Sequence, residues 1–426
     1  MRQSRFKQSL MARRHFWLAA LLVCGALLTA CGGGGGDDSG ASGGGDIGGG
    51  GSGGIDASAL VYSQGRVEGL GQILVNGVYF DPSQAAVLTD DGSASTPEAV
   101  KLGMVVQVLA PQAQTNALGQ LTAPAQEIRY GSEIEGPVTW VGADAMTVLG
   151  QTVRFDANTV FEEGRAATLR TGIVVEVHGL RDAQGQVQAS RIDIEDDWDD
   201  PYKLVTDIAA LDLAARTFTA GNAVISWAAI AAHTPALSNG QRVRVALARQ
   251  PLPNGQWQAT ALRLYSTLAA DLSGGSGGGS GGAGGSATGV KVDIEGYVTR
   301  VTGARQFVVA GVTVDASGVA YFPSTLAVGS AVEVEGILRN GVLTAYQVEL
   351  ERHIDRNDGF ELEGRITAVN ASALTFQVNG MTVYYGNSRF EDGTARQLAV
   401  GVRVEVKGAL SADGNVVNAT EIEFDD

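Results

Sequence analysis

Six glutamates recur in a pattern that can gather carboxylates. Glu135, Glu295 and Glu363 each stand directly before a glycine at the start of an alternating segment, and Glu176, Glu333 and Glu405 lie on later valine-rich segments. If the two segments of each set are neighbours in a sheet, each set offers a carboxylate pair to a divalent cation, and calcium, which takes oxygen ligands, is the natural one. The competing reading is solvent-facing strand residues that confer solubility. The acidic joint Glu195-Asp196-Asp197-Trp198-Asp199-Asp200-Pro201 poses the same choice. Asp196 and Asp197 are its cation candidates, although the joint lacks the glycine and terminal glutamate of an EF-hand loop. The polar stretch from Arg352 to Asp358 fails that template too. A third chemistry, acid–base cleavage of a glycan, would need Glu363 and Glu405 roughly 5 to 9.5 Å apart in a cleft.

Other constellations argue against catalysis. His178, His233 and His353 fall at non-equivalent positions and read as surface or turn residues, not as a metal cluster or a base for a serine nucleophile. There is no G-x-S-x-G elbow, and the glycine runs lack the lysine of a phosphate-binding loop. Trp140, Trp198, Trp227 and Trp257 also occupy different places, so no shared aromatic platform is expected. Asp81, Asp156 and Asp315 read as turn formers. The expectation is a chain that is not an enzyme, has no catalytic residues and carries no cofactor other than calcium.

The elements that must position these acids are hairpins. In Gly329–Leu350 (GSAVEVEGILRNGVLTAYQVEL), Val332 and Val334 alternate with Glu333 and Glu335, the period-two pattern of a half-buried strand. Asn340-Gly341 follows, the strongest short hairpin signal, because a type I′ turn needs positive φ at both central residues. The same grammar starts at Gly103, Gly172, Gly240 and Gly401, and the leading glycines are 69, 68, 89 and 72 residues apart. A near-constant period implies one repeated unit. The longest interval contains a glycine-serine linker, Ser273 to Gly289.

Within the last unit the order is three strands, a short helical segment over Thr394–Val400, then two strands; Thr96–Gly103 is the equivalent helical segment in the first unit. That order is the OB-fold's, a five-stranded Greek-key barrel. The expected class is therefore all-β, five tandem small OB-like barrels, with small open β-sandwiches as the alternative. The boundaries are 59–131, 132–200, 201–270, 291–356 and 357–426, with a linker over 271–290. Each unit is near the lower size limit for an independent core, so packing between neighbours is expected. The linker should separate a group of three units from a mobile pair.

The N-terminus addresses the chain. Arg13-Arg14 precedes a short apolar run that ends in Leu28-Thr29-Ala30-Cys31-Gly32, built like a secretion signal. It resembles the lipobox of bacterial lipoproteins, which implies cleavage after residue 30, a lipid on Cys31 and attachment to a membrane; the glycine after Cys31 resembles an outer-membrane sorting signal. Residues 31–58 read as the lipidated cysteine and a glycine-rich tether, whose run from Gly32 to Gly54 has a reach of roughly 25 Å. Cleavage would leave 25 basic against 46 acidic side chains, a formal charge of −21. Charge of that sign opposes nucleic acid. Cys24 would leave with the signal, so no disulfide can form within one mature chain.

The G-x-V opening, the V-x-V-x-G hairpin and the closing alternating strand, in tandem behind the lipobox, resemble bacterial lipoproteins of the domain of unknown function family five-six-six-six. The resemblance is strong in the second, fourth and fifth units and moderate in the first. The third departs, with Thr206-Asp207 in place of the opening glycine and Arg244 in place of glutamate. It implies an extracytoplasmic β-module without an established activity. The expected function is a tethered, non-enzymatic protein that binds or presents a surface to an envelope protein or glycan, or else a structural spacer.

Overall fold

The structure is a computed structural model and describes residues 60–117, 119–156, 158–161, 168–195, 198–265, 267, 289–350, 360–379, 381–411 and 416–425. The signal, Cys31 and the tether lie outside these residues, as do Asp196, Asp197, His353 and most of the glycine-serine linker. Among the described residues no helix is long and apolar enough to cross a membrane.

The protein is all-β. In the second unit the strands are Ile134–Val141, Ala145–Val148, Gln151–Arg154, Val174–Arg181 and Val187–Glu195. The first pairs with both the second and the fourth, the third runs parallel to the fifth, and the fifth lies antiparallel to the fourth. This circuit closes a small barrel with OB-fold connectivity, so the open sandwich is excluded. The fourth unit (strands from Val290–Gly303 to Val342–Leu350) and the fifth (Phe360–Asn370 to Val416–Asp425) close in the same way. The strand sets over 60–130 and 202–264 follow the same order, but their opening strand is broken, into Leu60–Arg66 and Gly69–Leu70 and into Tyr202–Asp207 and Ala209–Asp212.

Local chemistry accounts for these elements. Val332 and Val334 are fully buried between outward Glu333 and Glu335. Asn340 and Gly341 have φ of 50° and 78°, as a type I′ turn requires. All five leading glycines, Gly103, Gly172, Gly240, Gly329 and Gly401, have φ between 79° and 93°, a region that costs an L side chain strain. Asp81, Asp156 and Asp315 accept the backbone N–H two residues on at 2.9, 2.8 and 3.0 Å, the turns expected of them. The helical segments shrink to single 3₁₀ turns, Pro97–Ala99 and Ala395–Gln397. Thr394 and Gln397 form a capping box, whereas Thr96 makes no side-chain cap.

The units are joined strand to strand. Ile134 and Glu135 pair with Leu204 and Lys203, linking the second and third units. Val61 to Gln64 run parallel to Lys291 to Ile294, and Gly69-Leu70 parallel to Glu361-Leu362, so the first unit is wedged between the fourth and fifth. This corrects the expectation of a group of three units separate from a mobile pair. The cores follow the joints. Val67, Phe80 and Ile128 share one buried cluster with Leu362, Phe376 and Ile422; Ile134 and Ile192 share another with Leu204 and Phe218; Tyr62 and Leu109 lie in the core of the fourth unit. Units this small complete their apolar burial by pooling it.

Candidate functional site

Each glutamate pair predicted from the sequence stands directly opposite across the first and fourth strands of its barrel: Glu135 and Glu176, Glu295 and Glu333, Glu363 and Glu405. The fifth strand adds a third carboxylate to every row, Asp193, Glu349 and Glu423. Sequence reasoning missed these. In each unit a β-bulge shifts the register between the fourth and fifth strands, after His178, Glu335 and Lys407, so counting from the hairpin turn misplaces the partner.

Three like charges abreast repel, and each unit relieves this differently. In the fifth, the Lys407 ammonium lies 3.1 Å from Glu405, Arg403 pairs with Glu363, and the Tyr79 hydroxyl of the first unit donates to Glu361 at 2.5 Å. In the fourth, Asn76 donates to Asp293 at 2.9 Å and the backbone N–H of Arg66 to Glu295 at 3.0 Å. Burial, and then its acidic neighbours, push Asp293 up to about 7 and Glu333 up to about 8. In the second, Lys203 of the third unit lies 3.5 Å from Glu135 and 2.9 Å from Asp90, and the Ser132 hydroxyl donates to Glu135.

His178 is also in this second cluster and is completely buried, not a surface or turn residue as the sequence suggested. It follows Glu176 on the wet side of the strand, but the neighbouring units roof that side: Nδ1 lies 3.2 Å from the carbonyl oxygen of Gly131. Among the described residues, one group of three side chains brings its ligand atoms within 4.8 Å of one another, Glu176, His178 and Asp193. Glu295, Glu333, Glu363 and Glu405 belong to no such group among the described residues.

In the first and third units the row changes character. Its members are Gln64, Gln107 and Arg129 in the first, and Val205, Arg244 and Arg263 in the third. All but Val205 line one cavity of about 320 Å³, shared with residues of the second and fourth units such as Glu133, Arg181 and Tyr297. Arg244 reaches Asp90 at 3.3 Å and Asp91 at 3.6 Å, Arg263 reaches Asp91 at 3.8 Å, and Arg181 pairs with Glu133 at 2.8 Å. Burial works to raise the Asp91 carboxyl, but the Thr89 hydroxyl, Ser93 and Arg244 outweigh it and hold the group well below the usual range. The lining is a lattice of fixed, planar donors and acceptors. The tryptophans build no common platform: Trp140 is exposed, Trp227 is buried, and Trp257 packs edge-on against Tyr202.

The family model for a domain of unknown function (DUF5666) matches residues 135–193, 295–349 and 363–423. Three tandem segments of the chain are thus similar to this domain. Each matched segment begins and ends on an outer member of a carboxylate row, from Glu135 to Asp193, Glu295 to Glu349 and Glu363 to Glu423. The DUF5666 match thus spans the barrel from the acid of its first strand to the acid of its last. The first and third units, outside the matched segments, have the barrel order without the acids. No curated protein matches the chain significantly.

Proposed function

We propose that the chain is a non-enzymatic binding lipoprotein of the bacterial envelope, anchored through a lipid on Cys31, whose tandem β-barrels assemble a receptor for a hydroxyl-rich glycan. The observation that carries this reading is the 320 Å³ cavity where four barrels meet. Ligand sites favour such junctions and such volumes. Arginine and aspartate side chains held by their own ion pairs, with the amides of Gln64 and Gln107 beside them, offer paired donors and acceptors to sugar hydroxyls at little entropic cost. Tyr297 adds an aromatic surface to the lining. The lipobox at Leu28–Cys31 supports export and anchoring.

Binding of the full-length chain to immobilised neutral and uronic-acid oligosaccharides tests the proposal. Arg263, about half exposed at the cavity, is the residue to change. Saturable binding that falls at least tenfold in Arg263→Ala, with thermal stability retained, supports the glycan reading. Absence of glycan binding, or binding indifferent to Arg263, overturns it and leaves the structural spacer.

A further inference from the structure

The carboxylate row of the second unit differs from its two counterparts at one position. Two residues after the central glutamate, the fifth unit has Lys407 and the fourth has Glu335, whereas the second has His178. In the fifth unit that position supplies a permanent cation, the Lys407 ammonium 3.1 Å from Glu405. An imidazole at the same place supplies a charge only by taking a proton, or it can instead offer a lone pair to a metal.

The surroundings of the ring set its orientation. The Gly131 carbonyl, 3.2 Å from Nδ1, can only accept, so Nδ1 carries the proton and donates. In the neutral ring this leaves Nε2 unprotonated and aimed at Glu176, whose Oε1 is 3.2 Å away. Nε2 is sealed from solvent and makes no hydrogen bond, and His178 as a whole is fully buried. A histidine held by an N–H to a backbone carbonyl while its other nitrogen faces carboxylates has the support typical of a metal ligand. Asp193 is oriented by Arg191, whose Nε donates to Oδ2 at 2.8 Å and whose Nη2 lies 2.7 Å from the buried Oδ1. Arg191 itself is tied to the Leu102 carbonyl of the first unit at 3.1 Å.

Charge balance points the same way. Glu135, Glu176, Asp193 and Asp90 face Lys203 and Arg191 across this junction, with Arg244 divided between Asp90 and Asp91. We propose that Glu176, His178 and Asp193 hold one divalent transition-metal ion of the zinc class, with Glu135 beside them on the row. The three ligand atoms lie within 4.8 Å of one another, and bonds of about 2.0 to 2.2 Å to a common tetrahedral ion would draw them to about 3.3 to 3.6 Å apart. Imidazole combined with carboxylate selects zinc, manganese or nickel over calcium. Because the fourth and fifth units have Glu335 and Lys407 at the position of the imidazole, the stoichiometry is one ion per chain. The ion would clamp the second barrel where the first and third roof it.

The test uses the full-length chain, stripped with chelator and titrated separately with Zn²⁺, Mn²⁺ and Ca²⁺. The expected result is one Zn²⁺ or Mn²⁺ retained per chain with a raised melting temperature, no comparable Ca²⁺ binding, and loss of retention in His178→Gln and in Asp193→Asn. The nitrogen chemical shifts of His178 in the wild-type chain provide a readout that needs no variant: Nε2 moves to a metal-bound position on zinc addition while Nδ1 stays protonated. A stripped wild-type chain that retains no ion and shows a doubly protonated His178 ring overturns the proposal in favour of an imidazolium–glutamate pair. Metal retained equally by His178→Gln overturns it in favour of a different site.

Discussion

Ser63 and Asp293 stand side by side in parallel strands, although 230 positions and a glycine-serine linker separate them in the sequence. The two parts of the chain are therefore held by backbone pairing and a shared core, not by the linker alone. Cutting a protease site placed at Gly281 should leave fragments that co-elute and melt in one transition. Fragments that separate at micromolar concentration would contradict the seam.

A second seam, between the first and fifth units, rests on close backbone approach. Gly71 has φ of 117°, and a Cβ there would lie 2.4 Å from the Glu363 carbonyl oxygen. Gly71→Ala should destabilise the chain by about 1 to 3 kcal/mol through backbone strain and a displaced strand. Gly311→Ala, at positive φ but in open space, should cost less. Urea unfolding measures both, and equal losses would refute the packing argument.

Lys203 is buried where the first, second and third units meet, between Asp90 and Glu135. Replacement with methionine keeps the apolar stem and leaves two carboxylates without their cation. Breaking a buried pair from one side costs on the order of 3 to 5 kcal/mol; some exposure at Glu135 places the expected loss near the lower end. A stability unchanged in Lys203→Met would show the seam to be electrostatically neutral.

The fourth unit should make stability depend on pH. Asp293 and Glu333, raised to about 7 and about 8 by burial and then by the acidic side chains around them, retain protons in the folded chain that the unfolded chain releases above about pH 4. Raising the pH across that interval favours the unfolded state. The contribution is thus fully present below about pH 4 and is lost as pH climbs through about 7 to 8. Melting temperature should fall from pH 5 to pH 8, and Glu333→Gln, which can donate to Asp293 without a proton to lose, should flatten the fall. An identical slope in the variant would assign the pH response elsewhere.

What was legible in the sequence was whatever a strand encodes by itself. Valine alternation, Asn340-Gly341 and the leading glycines specify strands, turns and their order, and the acid before each opening glycine placed Glu135, Glu295 and Glu363 opposite Glu176, Glu333 and Glu405. Two kinds of information were not local. The bulges hid Asp193, Glu349 and Glu423, because one extra residue reverses which face a side chain takes. The roofing of one barrel by others hid His178 and the convergence of Arg129, Arg244 and Arg263, since a wet strand face and a face covered by another unit carry the same polar alternation.

The wedge of Leu60–Arg66 between Val105–Pro111 and Val290–Gly303 also decides how the protein bears mechanical load. A pull arriving through the chain before Leu60 runs along a strand paired on both sides, so its hydrogen bonds are strained together in shear instead of opening one after another like a zipper. Of the places where a cord could be tied to these barrels, a central strand is among the hardest to tear out.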